Sequence, residues 1–379
     1  MSIYPTVRPS LTLDFQKSKQ LDPRISFSRS STATYVEGGV IKYADEHQAR
    51  FEDKGLLMEE IRTNSIVQSQ ALDTSPWFPL NGTIASSTEL SPDGTANAYR
   101  LTASSNNCYN RYIITNAGSD YTFSAFIKAG NVNWARLYAF GGYVDFDLHN
   151  VTVGFVRPEI TGYGIDEVAD GWVRCWVSTA STSVTQVRIY PLVDSNDSTT
   201  SSGDYIDLYG AQLEENATFP TSYIPTSGST VTRAVDIAQI TGDNFSSWYN
   251  QNEGTVVASI VNGNTTGASS IWSFDNGTSN NRWMFRFGAG VNTTNFSTLA
   301  DTIKPYTATH ACAIEDNGLS YAKDGVLFSP PTTVGVFLTG KTTLNLGDGP
   351  GVNPSTGHIS RLSYYSERLT NEQLEAITS

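Results

Sequence analysis

Short runs that alternate apolar with polar residues recur along this chain, and turn-forming residues separate them. Between residues 65 and 228 these runs include "ANAYRLTAS", "YTFSAFIKA", "WARLYAF", "YVDFDLHN", "WVRCWVS", "VRIYPLV" and "YIDLYGAQLE". In "WARLYAF", Trp134, Arg136 and Tyr138 alternate with small or aliphatic residues, which is the period of a β-strand. Many short strands separated by Asn, Gly, Asp and Ser predict a β-sandwich or jelly roll over residues 65–228.

The same pattern continues over residues 229–379, where "EGTVVASIV" predicts a strand and "IWSFDNGTSNNRWMFRFGA" predicts a hairpin. A boundary near residue 228 is indicated by two prolines in "FPTSYIPTSGST", followed by linker-like small residues. A helix is predicted at the end of the chain, where Thr370 is the N-cap and Gln373 completes a capping box. Residues 229–379 therefore predict a second all-β sandwich.

The composition supports sheets and argues against two classes of partner. Charged residues make up only 16% of the 379 residues, below the usual proportion of about a quarter. Long helices carry Glu and Lys on their solvent face, so the shortage of charge favours sheets with Ser, Thr and Asn at the surface. The net charge of −13 argues against nucleic acid and against anionic membrane surfaces, which both attract Lys and Arg.

Residues 1–64 form a third block, with strand patterns in "LTLDF" and "RISFSRSSTATYV". The block is too thin for a core of its own, so we expect it to pair with something else. Its last stretch, "GLLMEEIRTN", fits either a short helix with one apolar side or an extended segment. Gly55 suits a turn better than a helix interior, which favours the extended interpretation.

Glu59 and Glu60 are adjacent, which raises the question of a catalytic pair. Adjacent residues on a strand point to opposite faces, so these carboxylates do not flank one bond at the roughly 5–9 Å that glycosidases require. A structural salt bridge to Arg62 or Arg50 is the better interpretation. No GxSxG, HExxH or Gly-rich phosphate loop is visible. We therefore expect no enzymatic activity and no catalytic residues.

The chain begins without the pattern of a secretory signal peptide, and no stretch approaches the roughly 18 apolar residues of a membrane-spanning helix. The expectation is a protein that is made in a bacterial cytoplasm and stays soluble, with no membrane insertion. Cys108, Cys175 and Cys312 are widely spaced and odd in number, which fits buried free thiols rather than disulfides or a metal site.

"LTLDF", "LDPRISFSRSSTATY" and "GLLMEEIRTN" resemble a module found near the start of tailed-bacteriophage and prophage virion proteins. "YTFSAFIKAG", "DGWVRCWVS" and "YIDLYGAQLEENATFPTSYIPT" resemble carbohydrate-binding-module-like jelly rolls. "AIEDNGLSYAKDGV" and "GHISRLSYYSERLTNEQLEAIT" resemble concanavalin A-like (laminin G type) lectin domains. The implied fold class is all-β, with two antiparallel β-sandwiches after a short extended N-terminal segment. In this reading, "GLLMEEIRTN" is extended and joins that segment to the first sandwich.

Sugar binding is the functional interpretation that the residues favour. Sugars present C–H faces to aromatic rings and hydroxyls to polar partners. The candidates lie in strands or loops rich in Asn and Ser, and they are Trp134, Tyr138, Tyr143, Trp272 and Trp283. The alternative is that these rings are core residues, since sandwiches normally bury tryptophan.

Calcium is the cofactor that the sequence raises, as a structural ion. The resembled carbohydrate modules often hold calcium through an aspartate in a strand like "YIDLYG", which here is Asp207. Asp275 and Asp348 lie in turns with oxygen-rich neighbours, the kind of ligand that calcium prefers. Turn formation is the alternative role for these aspartates.

The resemblance implies a virion structural protein, specifically a tail-fibre or spike adhesin that binds host-surface glycans. It also implies a homotrimer, whose N-terminal segment (1–64) attaches to other virion proteins or other copies. A capsid or tail decoration protein without a specific receptor is the main alternative, and a glycan depolymerase is the second. Exposed aromatic side chains favour the adhesin, buried ones favour decoration, and facing carboxylates in a cleft favour the depolymerase.

Overall fold

A computed structural model describes residues 3–114, 120–180, 186–264, 269–279, 281–287, 297–301, 306–315, 318–328, 339–350 and 353–379. The fold is all-β with mainly antiparallel pairing, which confirms the predicted fold class. The chain divides into two compact units. The central unit contains residues 33–43 and 62–233, and the terminal unit contains residues 1–32, 44–61 and 234–379.

The first 64 residues contain short strands and one helical turn. The strands are β1 (Leu11–Asp14), β2 (Ser26–Ser28), β3 (Ala33–Glu37), β4 (Val40–Ala44), β5 (Arg50–Glu52), β6 (Gly55–Met58) and β7 (Arg62–Asn64). Helix α1 (Phe15–Ser18) begins where the Asp14 side chain accepts a hydrogen bond from the Lys17 backbone. "GLLMEEIRTN" thus contains strands β6 and β7, which confirms the extended interpretation over the helix.

The strands of the middle of the chain follow the predicted runs closely, because alternating residues need one buried and one outward face. They are β8 (Trp77–Leu80), β9 (Gly82–Ser86), β10 (Tyr99–Ala103), β11 (Tyr109–Ile113), β12 (Asp120–Ala129), β13 (Trp134–Ala139), β14 (Gly142–Asp147), β15 (Thr152–Val156), β16 (Ile160–Glu167), β17 (Trp172–Ala180), β18 (Gln186–Leu192) and β19 (Tyr205–Glu215). A 3₁₀ turn at Ala169–Gly171 precedes β17.

The last part of the chain continues as strands with a terminal helix. The strands are β20 (Val231–Arg233), β21 (Ile237–Thr241), β22 (Glu253–Asn264), β23 (Ser269–Asp275), β24 (Arg282–Phe287), β25 (Ser297–Asp301), β26 (Tyr306–Glu315), β27 (Gly318–Lys323), β28 (Val326–Phe328), β29 (Thr343–Leu346), β30 (Asn353–Pro354) and β31 (Thr356–Tyr365). The helices are α2 (Asp243–Ser246) and α3 (Asn371–Thr378), and α3 begins with the predicted capping box of Thr370 and Gln373.

The central unit is a sandwich around an apolar core. One of its sheets has the strand order β16-β17-β12-β19-β10-β9, and the other has the order β15-β14-β13-β18-β11-β8. Inward-facing side chains of both sheets, such as Phe123, Leu137 and Ile189, are fully buried in this core. We call the sheet that contains β12 the covered sheet and the sheet that contains β13 the open sheet.

The outer face of the covered sheet packs against other segments of the same unit. Phe126, Trp172 and Tyr223 are buried there together with Ile41 of the β3–β4 hairpin. The hairpin is held by hydrogen bonds from the Ile41 backbone to the Pro92 carbonyl (2.8 Å) and from Thr34 Oγ1 to the Tyr223 carbonyl (2.5 Å). Strand β12 is therefore buried on both faces over residues 121–127.

The terminal unit is a second sandwich. One sheet has the order β28-β27-β26-β22-β31-β6-β5, with β1 paired to β31, and the other has the order β2-β21-β29-β23-β24-β25, with β30 paired to β23. Its core joins Leu56 and Met58 of the first block to Phe274, Trp283 and Tyr364. The N-terminal strands thus supply part of the core of this unit.

The N-terminal block is not a separate segment in the structure, unlike the division into 1–64, 65–228 and 229–379 that the sequence suggests. Strands β1, β2, β5 and β6 complete the sheets of the terminal unit, while residues 33–43 and 62–64 belong to the central unit. The pairing joins residues far apart in sequence, such as Leu11 and Tyr364. The thin block does pair with something else, and that partner is its own chain.

A buried ion network fixes Glu59 in the terminal unit. Arg50 lies 2.6 Å from Glu59 and 2.5 Å from Asp236, and Arg29 lies 3.1 Å from Asp236. All of these side chains are almost fully buried, so each charge depends on its partners. The predicted salt bridge between Glu59 and Arg50 is confirmed, whereas Arg62 lies 3.8 Å from Glu214 in the central unit.

The three cysteines are buried and free, as the sequence indicates. Burial raises the pKa of the Cys108 thiol to about 12, so it stays protonated. None of the helices in the described ranges has the length and apolar character that crossing a bilayer requires; α3, for example, has 8 residues.

Candidate functional site

The outer face of the open sheet carries a line of aromatic and arginine side chains. Along β13, Ala135, Leu137 and Ala139 point into the core, so the alternation turns Trp134 and Tyr138 outward. Both side chains are half-buried. Tyr143 of β14 lies directly across from Tyr138 and is also half-buried. The structure therefore brings three of the predicted sugar-binding residues to one face.

Strand register extends this line across the sheet. Tyr138 lies opposite Arg188 of β18, Arg188 lies opposite Arg111 of β11, and Arg111 lies opposite Phe78 of β8. We call Phe78, Arg111, Arg188, Tyr138 and Tyr143 the outer row. Five neighbouring strands at about 4.8 Å spacing make the row about 19 Å long. Phe78 is 53% exposed at one end, so the row reaches the surface.

The rings of the outer row are matched with guanidinium groups. The Arg111 guanidinium lies 5.2 Å from the ring centre of Phe78, and the Arg188 guanidinium lies 4.7 Å from that of Tyr138. At the other end, Arg136 and Arg157 lie 3.7 Å and 5.0 Å from the ring centre of Tyr143. Such pairs are held by the attraction between a cation and the negative ring face.

Beside the outer row, on the same face, Tyr190, Arg136 and Asp145 form a second row that is buried and internally satisfied. Arg136 donates two hydrogen bonds to Asp145, from Nε to Oδ1 (2.6 Å) and from Nη2 to Oδ2 (3.0 Å). The Asn196 backbone donates to Asp145 at 2.6 Å, and the Tyr143 hydroxyl donates to the Asn196 side chain at 3.2 Å. Burial raises the pKa of Tyr190, so its hydroxyl stays neutral and accepts a 2.8 Å hydrogen bond from Arg188. This layer supports the outer row.

Trp134 is held at the edge of this face by a close backbone approach. A Cβ atom at Gly154 would lie 2.5 Å from both the Trp134 ring and Ser195 Oγ. The absence of a side chain at Gly154 therefore lets β15 lie against the indole. The Phe155 backbone donates to Ser195 Oγ at 2.9 Å, which fixes the same segment.

Trp272 and Trp283 are not available to a sugar, so their assignment as binding residues is wrong. They are only 0% and 1% exposed, and their ring centres lie 5.5 Å apart in the core of the terminal unit. Trp272 Nε1 donates to His310 at 3.0 Å. All residues of β23 and residues 282–285 of β24 are buried, so both faces of these strands are covered, which strand alternation does not predict.

Asp207 is buried in an ion pair, which favours a structural role for this carboxylate. Arg100 donates to both of its carboxylate oxygens at 2.9 Å, and Ser87 Oγ donates to Oδ1 at 2.7 Å. The aspartate is 1% exposed. A guanidinium already balances its charge, and calcium at Asp207 stays a prediction.

Asp275 and Asp348 belong to the terminal unit. Asp275 accepts hydrogen bonds from Ser273 Oγ (2.6 Å), Asn345 Nδ2 (2.7 Å) and the Gly277 backbone (2.9 Å). Burial raises the pKa of both carboxyl groups. The described residues contain no group of three or more His, Cys, Asp or Glu side chains placed to hold a metal ion. This donor-rich setting fits the turn role, and calcium at Asp275 and Asp348 stays a prediction.

No family model matches the chain, and no curated protein matches it. Among solved structures, Trypanosoma rangeli sialidase with the inhibitor DANA is 10% identical over 74% of this chain and 60% of that chain, with a TM-score of 0.26. The same sialidase alone and with sialic acid is 10% identical over 92% of this chain and 76% of that chain, with TM-scores of 0.27 and 0.24. The first match thus spans less than two thirds of the sialidase chain.

The expectation that this chain is not an enzyme is corrected by these matches, because the similar structures are sialidases. That expectation rested on the absence of known catalytic motifs in the sequence. The TM-scores are too low to assign the sialidase activity to this chain, so the matches remove the earlier expectation without replacing it.

Sequence reasoning missed the arginines of this face. Arg111, Arg136 and Arg188 each stand two residues from an aromatic residue in a strand, as in "YNR", "WARLY" and "RIY". This alternation places ring and guanidinium on the same face. The pattern was visible in three separate runs, although only the register shows that the runs are neighbours.

Proposed function

We propose that this protein is a tailed-bacteriophage virion adhesin that binds a host-surface glycan on the outer row of the central unit. The supporting observation is the half-exposed line of rings and guanidinium groups across five neighbouring strands. The motif resemblance of the N-terminal residues to virion proteins supports the location. A virion protein that binds a cell surface needs a site of this kind on its outer surface.

The chemistry of the row suits a sugar chain. Tyr138 and Tyr143 offer ring edges and hydroxyls, and Arg111 and Arg188 offer several N–H donors each. A row about 19 Å long accommodates several sugar units side by side. The supporting layer of Arg136 and Asp145 keeps the row in place before a ligand binds, which lowers the entropic cost of binding.

The accessible aromatic residues of this face argue against the alternative role as a decoration protein. A decoration role requires no half-exposed aromatic side chains, whereas Phe78, Tyr138 and Tyr143 are all accessible at one face. We further propose a homotrimer in the virion, where several weak sites held together gain avidity. Light scattering of the purified chain tests the trimer separately from glycan binding.

The test is binding of the purified chain to candidate host bacteria and to their extracted surface polysaccharide. We expect saturable binding that free polysaccharide competes away. The double variant Y138A/Y143A should weaken it about tenfold, which is the effect of losing about 1.4 kcal/mol. Y163A is the matched control, because Tyr163 is 46% exposed but lies on the covered sheet.

Three other results are informative. Equal affinity for the double variant and the native chain would remove the outer row from the proposal. No binding to any permissive host by the folded protein would favour the decoration role. Release of shortened sugar chains during the assay would assign a depolymerase activity. A parallel series with a calcium chelator tests the calcium prediction.

A further inference from the structure

Arg111 and Arg188 stand directly opposite each other on neighbouring strands. Side chains in such a pair have Cβ atoms roughly 4.5–5.5 Å apart, and like charges at this position repel. Each guanidinium is drawn to a ring instead: Arg111 lies over Phe78, and Arg188 lies over Tyr138 and Tyr109. Two positive charges therefore lie on neighbouring strands of the outer row, each held over aromatic rings.

No carboxylate compensates this pair within the part of the chain that the structure describes. Nε of Arg111 is buried and has no hydrogen-bond acceptor among these residues. Arg188 donates hydrogen bonds to two neutral acceptors, Gln186 Oε1 at 3.1 Å and the Tyr190 hydroxyl at 2.8 Å. A guanidinium has five N–H donors, so about three of those on Arg188 remain for another acceptor.

Other cations of the same unit do have acidic partners. Arg136 pairs with Asp145, and Arg100 pairs with Asp207. The chain contains 37 Asp and Glu against 24 Lys and Arg, so acids are not scarce. The arginine pair at the centre of the outer row is thus a local positive charge on a protein whose net charge is negative.

We propose that Arg111 and Arg188 bind the acidic group of an anionic glycan, which rests on the proposed glycan-binding function. A carboxylate, sulfate or phosphate presents several acceptor oxygens to two guanidinium forks, and such charge-assisted hydrogen bonds are strong. A neutral sugar gains less, because guanidinium groups already lie over the ring faces that it would stack on. The outer row therefore favours negatively charged glycans over neutral ones, and its rings position the arginines.

The experiment measures binding of the full chain to four immobilised polymers at low ionic strength. They are polygalacturonate, polygalacturonate whose carboxylates have been reduced to alcohols, dextran sulfate and dextran. We expect binding to polygalacturonate, loss of binding on carboxyl reduction, and weakening with added salt. Binding to dextran sulfate alone would also support the proposal and would identify the anion as a sulfate-like group.

Variants assign the effect to the pair. R111Q/R188Q should lower the affinity at least about tenfold, and R111K/R188K should recover part of it because lysine keeps the charge without the fork. R361Q is the matched control, since Arg361 is an exposed arginine of the terminal unit. Thermal melting of each variant tests whether it is folded. If R111Q/R188Q is not folded, R111K/R188K still tests the proposal.

Two results would overturn the proposal. Equal binding to the native and carboxyl-reduced polymers, or unchanged affinity of folded R111Q/R188Q, would show that the row binds glycan without using this charge. Glycan binding itself would then still stand. Failure to bind any of these polymers or any host polysaccharide would remove both proposals together.

Discussion

The aromatic residues of the two units have different partners. In the terminal unit, rings pack on rings. The ring centre of Phe274 lies 5.7 Å from that of Trp272 and 5.2 Å from that of Trp283. On the open sheet of the central unit, the rings of Tyr138 and Tyr143 each lie against an arginine, and Tyr143 also contacts the ring of Phe155. Ring-on-ring packing excludes water and stabilises a core. Ring-on-guanidinium packing keeps a positive charge at the surface, where a ligand can reach it.

This difference separates stability from recognition. The same residue types, in strands with the same alternation, serve the fold where both sheets cover them and serve a surface where one face stays open. The covered sheet shows the intermediate case, because the β3–β4 hairpin buries Trp172 on what would otherwise be an outer face. Substitutions should therefore affect unfolding most in the terminal core and least in the outer row.

The largest effect is expected for W272A. Removing a fully buried indole leaves a cavity and should lower the free energy of unfolding by about 3–5 kcal/mol. Chemical denaturation followed by circular dichroism measures it. W134A is the comparison, since Trp134 is half-buried and should cost less. A loss below about 1 kcal/mol for W272A would show that the ring cluster does not hold the core.

The next effect is expected for G154A. Its new Cβ would lie 2.5 Å from the Trp134 ring, and such overpacking costs about 1–3 kcal/mol. The same change in a W134A background should cost less, because the clash with the ring is gone and only the contact with Ser195 Oγ remains. Additive effects in this double-mutant cycle would contradict the contact.

Lowering the pH should change the stability of the two units in opposite directions, because the pKa values of their carboxyl groups are shifted in opposite directions. Burial acts to raise the pKa of Asp93, but hydrogen bonds from Ser91, Thr95 and Tyr209 outweigh it and lower the pKa to about 2. Burial raises the pKa of Asp275 and Asp348. A lowered pKa means stability that is lost as the pH falls, and a raised pKa means stability that is gained.

D93N should therefore reduce the acid sensitivity of the central unit. In the native chain, the contribution of Asp93 is complete above its ordinary pKa of 3.8 and lost as the pH falls toward about 2. Because this carboxyl is partly exposed, we expect only about 1 kcal/mol. Denaturation at several pH values between roughly pH 4 and pH 2, the range in which Asp93 titrates, measures how steeply the free energy of unfolding changes with pH. An unchanged slope in D93N would contradict the account, and D275N is the comparison with the opposite sign.

The smallest effect on stability is expected for Y143A. It loses the contact with Arg136 and should cost about 0.5–1 kcal/mol. The glycan affinity should fall more than the stability does, which separates the row from the core. Thermal melting and binding measured on the same sample make this comparison. A stability loss as large as that of W272A would show that Tyr143 is a core residue.

The sequence supported the fold class well, because period-two alternation and turn residues act locally. It favoured the extended form of "GLLMEEIRTN" for the same reason, and it gave Arg50 as one of two candidate salt-bridge partners for the carboxylates there. It did not reveal that the first block splits between two units, since pairs such as Leu11 and Tyr364 are set by long-range pairing. It also did not distinguish Trp134 from Trp272, because the segments that cover a sheet face come from elsewhere in the chain.

The site could be predicted only in part. Trp134, Tyr138 and Tyr143 were indicated by their aromatic character, and they do share one face. Arg111 and Arg188 were not, because their significance comes from standing opposite each other on strands that are far apart in sequence. Asp207 carried a motif-like signal, but its partner Arg100 lies on another strand and determines its role.

The most direct test is a crystal structure of the full chain with a short galacturonate oligosaccharide. We expect the oligosaccharide along the outer row of the open sheet, with a carboxylate within hydrogen-bonding distance of Arg111 and Arg188. An oligosaccharide bound to the terminal unit, or bound on the open sheet with its carboxylates turned away from both arginines, would contradict it.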